Sequence, residues 1–210
     1  MAHIFVDLYD RVNDPRPSWI LDDKNEANRI WFHDLNEHNA ADKAARVRLR
    51  TGNEYRTGDH VRLLDNVRQS NTANISIDPD VSNNINLNEL SFADKAAAVK
   101  IVSNPNDDGG YRLRVLLYDR VGQQVPHLIL YDWEFGPPQK FADLNLFHFA
   151  DKAAFIRVER GPNYRRGDRI LLWDRLRLPT DKLSLEPGAY DLNANNWADK
   201  AAGVEFDLEL

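Results

Sequence analysis

The chain has 210 residues, 42% of them apolar and 29% charged, with a formal charge of -6 and no cysteine. That balance is ordinary for a globular protein and excludes disulfides, thiolate catalysis and sulfur-ligated zinc. It also argues against nucleic-acid binding, which needs a basic surface, and no apolar run reaches the ~18–20 residues of a membrane span.

The first stretch, "MAHIFVDLYD", enters directly on apolar alternation. It lacks the basic start, apolar middle and small-residue cleavage site of a signal peptide. A cytoplasmic location is therefore favoured, with secretion open if a leader was removed. From Phe5 the chain reads "FVDLYDR", a strand closed by an aromatic residue, an Asp and an Arg. The string ADKAA follows at Ala41–Ala45, and an alternating strand, "VRLR", starts at Val47. The arginines of "RVRLR" (Arg46–Arg50) alternate with apolar residues, so on a strand they form one solvated face.

After the turn-rich "TGNEYRTGDH" (Thr51–His60) the series repeats. "HVRLLDN" begins at His60, ADKAA returns at Ala93–Ala97 and "VKIV" starts at Val99. "SNPNDDGGYR" (Ser103–Arg112) leads to a third round: "LRVLLYDR" from Leu113, ADKAA at Ala150–Ala154 and "IRVE" from Ile156. "RGPNYRRGDR" (Arg160–Arg169) leads to a fourth: "RILLWDR" from Arg169, ADKAA at Ala198–Ala202 and "VEFDL" from Val204. Leu-Asn stands at one offset before each ADKAA, at Leu35-Asn36, Leu87-Asn88, Leu144-Asn145 and Leu192-Asn193. The repeats are about 50–55 residues long, each bounded by these two strands.

The first and third linkers share G-x-x-Y-R-x-G-D, whereas the middle one is rich in Asn, Asp, Pro and Gly. The repeats therefore pair into two domains, residues 1–103 and 111–210, joined by a linker at 104–110. Alternating runs and turn residues predict a mainly-β chain with four strands per repeat and a short helical turn before ADKAA. Eight strands per domain with one apolar face each predict two Greek-key β-sandwich domains in tandem.

"LSLEPGAYDLNANNWADKAAGVEF" (Leu183–Phe206) resembles the second half of a βγ-crystallin Greek key, with its Pro-Gly-x-Tyr strand, Asn/Asp arch and alternating strand. "LLWDR" and "LLYDR" are similar to that family's opening strand, and "ILYDWEFGPPQKF" (Ile129–Phe141) to its aromatic-to-Gly hairpin. The pattern covers the whole chain, most clearly in the fourth repeat. Microbial members of the family bind calcium through [N/D]-[N/D]-x-x-[S/T]-S. Laid on that motif, the first position is Ala41, Ala93, Ala150 and Ala198. The second is Asp42, Asp94, Asp151 and Asp199. The hydroxyl position is Ala45, Ala97, Ala154 and Ala202, and the last Ser is Arg46, Ala98, Phe155 and Gly203.

The resemblance thus implies degenerate calcium sites, since only one ligand position survives and calcium takes about 6–8 oxygens. The candidate ligands are those four Asp together with Asp10, Asp65, Asp119 and Asp174 after the opening strands. The competing reading has each Asp capping an arch and each Ala filling a site too small for anything larger.

Other motifs carry less chemistry. Arg166-Gly167-Asp168 spells a cell-adhesion tripeptide, but Thr57-Gly58-Asp59 keeps the same turn without the Arg. His3, His33, His38, His60, His127 and His148 show no metal-ligating spacing; His33 and His38 are five apart with Asp34 between. Asn74-Ile75-Ser76 is a glycosylation sequon that matters only on secretion. Trp173 and Trp197 hold repeat positions of core character, whereas Trp19, Trp31 and Trp133 belong to individual hairpins, where one could mark a binding surface. There is no nucleotide loop, nucleophile elbow or catalytic constellation.

The expectation is a non-enzymatic, structural or stress-related protein with no cofactor beyond weak calcium. Its partner is unspecified, and it is a monomer or a dimer formed by domain pairing. A calcium-binding module and an inhibitor- or toxin-like interaction protein are the alternatives.

Overall fold

Alternation with a period of two places every second side chain on one face of a strand, and the apolar set selects which face is buried. A computed structural model describes residues 3–23, 30–65, 67, 75–106, 110–135, 140–174 and 182–209, the side chains of Ile30 and Trp31 excepted. The first repeat supplies β1 (Ile4–Tyr9), β2 (Trp19–Asp22), β3 (Ile30–Asp34) and β4 (Arg46–Thr51). The second supplies β5 (His60–Leu64), β6 (Ile75–Ile77), β7 (Asn84–Asn86) and β8 (Ala98–Val102). In the third are β9 (Leu113–Tyr118), β10 (Leu128–Tyr131), β11 (Phe141–Asp143) and β12 (Phe155–Arg160). The fourth holds β13 (Arg169–Trp173), β14 (Lys182–Leu185), β15 (Gly188–Asp191) and β16 (Gly203–Asp207).

The protein is all-β. The helical turn expected before ADKAA occurs as a 3-10 turn in the third repeat, Leu144–Phe147, and a second such turn covers Asp132–Glu134. Among the described residues no helix is long and apolar enough to cross a membrane.

The strands form four antiparallel sheets of four: β2-β1-β4-β7, β3-β8-β5-β6, β10-β9-β12-β15 and β11-β16-β13-β14. Each sheet takes the first, second and fourth strands of one repeat and the third strand of its neighbour. Thus β3 pairs with β8 and β7 with β4, and likewise β11 with β16 and β15 with β12. Neither repeat of a pair completes a sheet alone.

Register puts the apolar positions together. In the first sheet Val6 lies opposite Leu49 and Leu21, and Leu8 opposite Val47, all at most 5% exposed. In the fourth sheet Ile170 lies opposite Phe206 and Leu185, and Leu172 opposite Val204. Burying each such side chain contributes about 1.5–3 kcal/mol.

The chain divides into two compact units, Met1–Gly109 and Gly110–Leu210. Asn104, at the start of the expected linker, is fully buried in the first unit. Its N–H donates to Asp59 Oδ1 at 2.6 Å and its side-chain amide to the Thr57 carbonyl at 2.8 Å. Residues 107–109 of that linker lie outside the described set, as do 136–139 of the aromatic hairpin.

Candidate functional site

Each ADKAA belongs to a wound arch that begins one residue before the Leu-Asn pair. Asp34, Asn86, Asp143 and Asp191 accept the N–H of the Asn two residues on, at 2.8, 3.1, 2.9 and 2.9 Å. This side-chain turn starts the reversal. The following Leu carbonyl then closes it, accepting from Ala40, Phe92, Phe149 or Trp197 at 2.7–2.9 Å.

Two residues of every arch are left-handed: Asn39, Ser91, His148 and Asn196 first, then Asp42, Asp94, Asp151 and Asp199 three residues later. The four Asp have φ of +55° or +56°. Non-glycine residues resist this region, and Asp and Asn resist it least because their short polar side chains bond locally. The repeated Asp is thus a backbone requirement. The repeated Lys ties down the other left-handed position. Lys43, Lys95, Lys152 and Lys200 donate to the carbonyls of those first left-handed residues, at 2.9, 2.6, 2.7 and 2.7 Å.

The two arches of a unit are bonded to one another reciprocally. Asp42 N–H donates to the Ala96 carbonyl at 3.0 Å, and Asp94 N–H to the Ala44 carbonyl at 3.2 Å. In the second unit Asp151 donates to Ala201 at 2.9 Å and Asp199 to Ala153 at 3.4 Å. The four acceptor residues are 0% exposed, so no side chain larger than Ala fits without displacement. The final Ala works in both directions. Ala45, Ala97, Ala154 and Ala202 donate to Tyr9, Leu64, Tyr118 and Trp173 at 2.7–2.9 Å. Their carbonyls accept from Leu87, Leu35, Leu192 and Leu144, each at 3.0 Å.

The calcium candidates are distributed along this joint. Asp42, Asp94, Asp151 and Asp199 have exposed side chains, as do Asp10 and Asp65, while Asp119 and Asp174 are half-buried. Asp10 follows Tyr9, whose carbonyl takes the Ala45 N–H next to the Ala44–Asp94 bond, so opening strand and partner arch approach through their backbones. Among the described residues no group of three or more His, Asp or Glu side chains stands together to hold a metal ion.

A second repeated feature is a buried carboxylate in each G-x-x-Y-R-x-G-D turn. Asp59 and Asp168 are both 0% exposed. Asp59 Oδ2 accepts from Arg56 N–H at 2.7 Å and stands 3.0 Å from His3 Nδ1. Asp168 Oδ2 accepts from Arg165 N–H at 2.7 Å and Arg112 Nε at 2.9 Å, while Oδ1 meets the second Arg112 nitrogen and accepts Glu209 N–H at 3.0 Å. A positive φ of 103° at Gly167 turns the chain so that the carboxylate points inward. Asp168 of the adhesion-like tripeptide is therefore part of the fabric of its unit. Composition could not reveal this, since a surface turn and a buried one spell alike.

The remaining aromatic candidates serve packing or local bonding. Trp173 donates to Glu205 Oε2 at 3.0 Å, Trp19 to the His38 carbonyl at 3.1 Å, and Trp133 stacks on Tyr131 with ring centres 5.8 Å apart. Trp197 is half-buried at its arch. The Trp31 side chain and Asn74 of the sequon lie outside the described residues.

Fold and arches define the class of protein: an all-β chain of two compact units, each made of two repeats that exchange a strand and clasp through their ADKAA arches. No protein-family model matches the chain, and no curated protein matches it.

Proposed function

We propose that the chain is a βγ-crystallin-like protein without enzymatic activity, built of two Greek-key β-sandwich domains, with a structural or stress-related role and calcium sites that are lost or weak. The observation that carries this reading is the use made of the arch oxygens. The carbonyls of Ala44 and Ala45 and their counterparts accept backbone N–H groups, and a lysine ammonium occupies another carbonyl of every arch. A fixed cation repels calcium, and the methyl groups at the hydroxyl position offer no ligand. Strand exchange and the eightfold use of left-handed arch residues also favour a scaffold whose repeats hold one another.

Thermal melting during calcium titration tests this. A ligand bound only by the native state at 100 times its Kd adds about 2.7 kcal/mol of stability. The melting temperature is expected to stay unchanged up to millimolar calcium, and a micromolar response sinks the reading in favour of a calcium-binding module.

A further inference from the structure

The two G-x-x-Y-R-x-G-D turns share a backbone and differ in charge. In each, the Tyr N–H donates to the first Gly carbonyl at 3.2 Å. The Asp N–H then donates to the Arg carbonyl, at 2.9 Å from Asp59 and 3.0 Å from Asp168. The second Gly has a positive φ in both, 94° at Gly58 and 103° at Gly167. The shared residues thus account for the turn, and the unshared ones change what it presents. Thr51–His60 sets Arg56 against Glu54 and Asp59, whereas Arg160–Arg169 sets Arg160, Arg165, Arg166 and Arg169 against Asp168 alone. Arginine stands where the first unit has Thr51, Thr57 and His60, and Asn163 stands where it has Glu54.

The added charge faces outward. All four arginines are exposed, while Asp168, the carboxylate of the turn itself, is buried on Arg112. Arg169 pairs with Asp207 at 2.7 Å. The Arg160 guanidinium lies over the Tyr164 ring, 4.6 Å from its centre, a stacking that leaves the N–H edge available. Among the described residues no carboxylate pairs with Arg160, Arg165 or Arg166. Arg56, the counterpart of Arg165, instead donates to the Asn104 carbonyl at 3.3 Å. Glu209 lies against Gly167, so three unpaired arginines face one acidic neighbour and the turn stays net positive.

Arginine binds carboxylates through paired N–H bonds, so three such groups on one turn fit a segment that carries several carboxylates. We propose that the Arg160–Arg166 turn is a docking surface for a short acidic peptide segment of a protein partner, with Arg160, Arg165 and Arg166 as its carboxylate-binding groups. The charge balance of the chain selects this class of partner. With a formal charge of -6, the chain as a whole repels a long polyanion or an anionic membrane. A segment of a few residues stays within the ~8 Å over which charge acts at physiological salt, so it meets the local positive turn and is screened from the rest. The surface does not depend on the reading of the arches, and the calcium titration leaves it standing.

Fluorescence anisotropy of a labelled hexaglutamate peptide titrated with the full chain tests the surface. Saturable binding that weakens with added salt is expected. Arg160→Thr combined with Arg166→Thr gives the turn the residues of its counterpart in the first unit. The pair should lower the affinity at least ~10-fold, as loss of charge-assisted hydrogen bonds requires, with the melting temperature unchanged. Arg48→Thr, which removes an exposed arginine of β4 in the first unit, should leave the affinity unchanged. Absence of saturable binding, or equal losses in the paired variant and in Arg48→Thr, overturns the proposal. Preference for phosphatidylserine vesicles or duplex DNA over hexaglutamate overturns it as well and assigns the turn to those partners. A concentration-dependent dimer that the paired substitution abolishes would assign it to a second copy of the chain instead.

Discussion

The N–H of Asp94 donates to the carbonyl of Ala44 at 3.2 Å, joining the second arch of the first unit to the first. Its mirror, Asp42 to Ala96 at 3.0 Å, makes the contact self-complementary. Because Ala44 is fully buried, extra volume there pries apart both arches. Ala44→Leu is expected to lower stability by about 1–3 kcal/mol in chemical denaturation. An unchanged midpoint would mean that the joint tolerates separation.

Asp42 and its three counterparts are held at positive φ with exposed side chains. Asp42→Ala should therefore cost about 1–2 kcal/mol, because a Cβ without a local acceptor clashes in this region. Asp42→Gly should come within about 0.5 kcal/mol of the parent, since glycine adopts the conformation freely. Equal losses for Ala and Gly in urea melts would point instead to a role for the carboxylate.

Arg112 forms two bonds with the fully buried carboxylate of Asp168 and is itself 19% exposed. Arg112→Met leaves that charge with only backbone donors and is expected to destabilise the second unit by about 3–5 kcal/mol. Arg166 is exposed, and Arg166→Ala should stay within about 0.5 kcal/mol of the parent. Cells should not adhere to the folded chain through Arg166-Gly167-Asp168, because Asp168 is 0% exposed.

His33 is held below its ordinary pKa of 6.5 in the folded chain, chiefly by burial. The unfolded chain therefore binds the proton more readily, so stability is fully present above pH 6.5 and is lost as pH falls through the lower folded-state value. His33→Gln should flatten this part of the acid limb of stability against pH. A limb of unchanged slope between pH 6.5 and pH 5 would assign it to other groups.

Much of this was legible in the sequence. "FVDLYDR" and "RILLWDR" announce strands because a period of two leaves only one way to bury Val6 and Leu8, or Ile170 and Leu172. ADKAA announces a repeated joint and its Ala a space-limited site, but the expected cap by its Asp is made instead by Asp34, Asn86, Asp143 and Asp191, while the ADKAA Asp serves through its positive φ and its own N–H. The side-chain turn at Asp34, Asn86, Asp143 and Asp191 lies one residue outside the Leu-Asn match, and extending the repeat alignment by that residue would have found it. Asp59 and Asp168 read as turn residues, since each takes one N–H from its own turn, at Arg56 or Arg165, and the N–H groups that complete the buried carboxylates, from Asn104 and Glu209, come from far along the chain.

By itself, then, the sequence determined the fourfold period, the all-β character, the arches and the small residue each arch requires, because these follow from local alternation and backbone preference. Only the tertiary structure decided that β3 and β7 change places between repeats, that Asp42 and Asp94 reach the opposite arch, and that Asp59 and Asp168 are buried. Strand exchange is a choice among partners of equal local merit, which local alternation cannot decide.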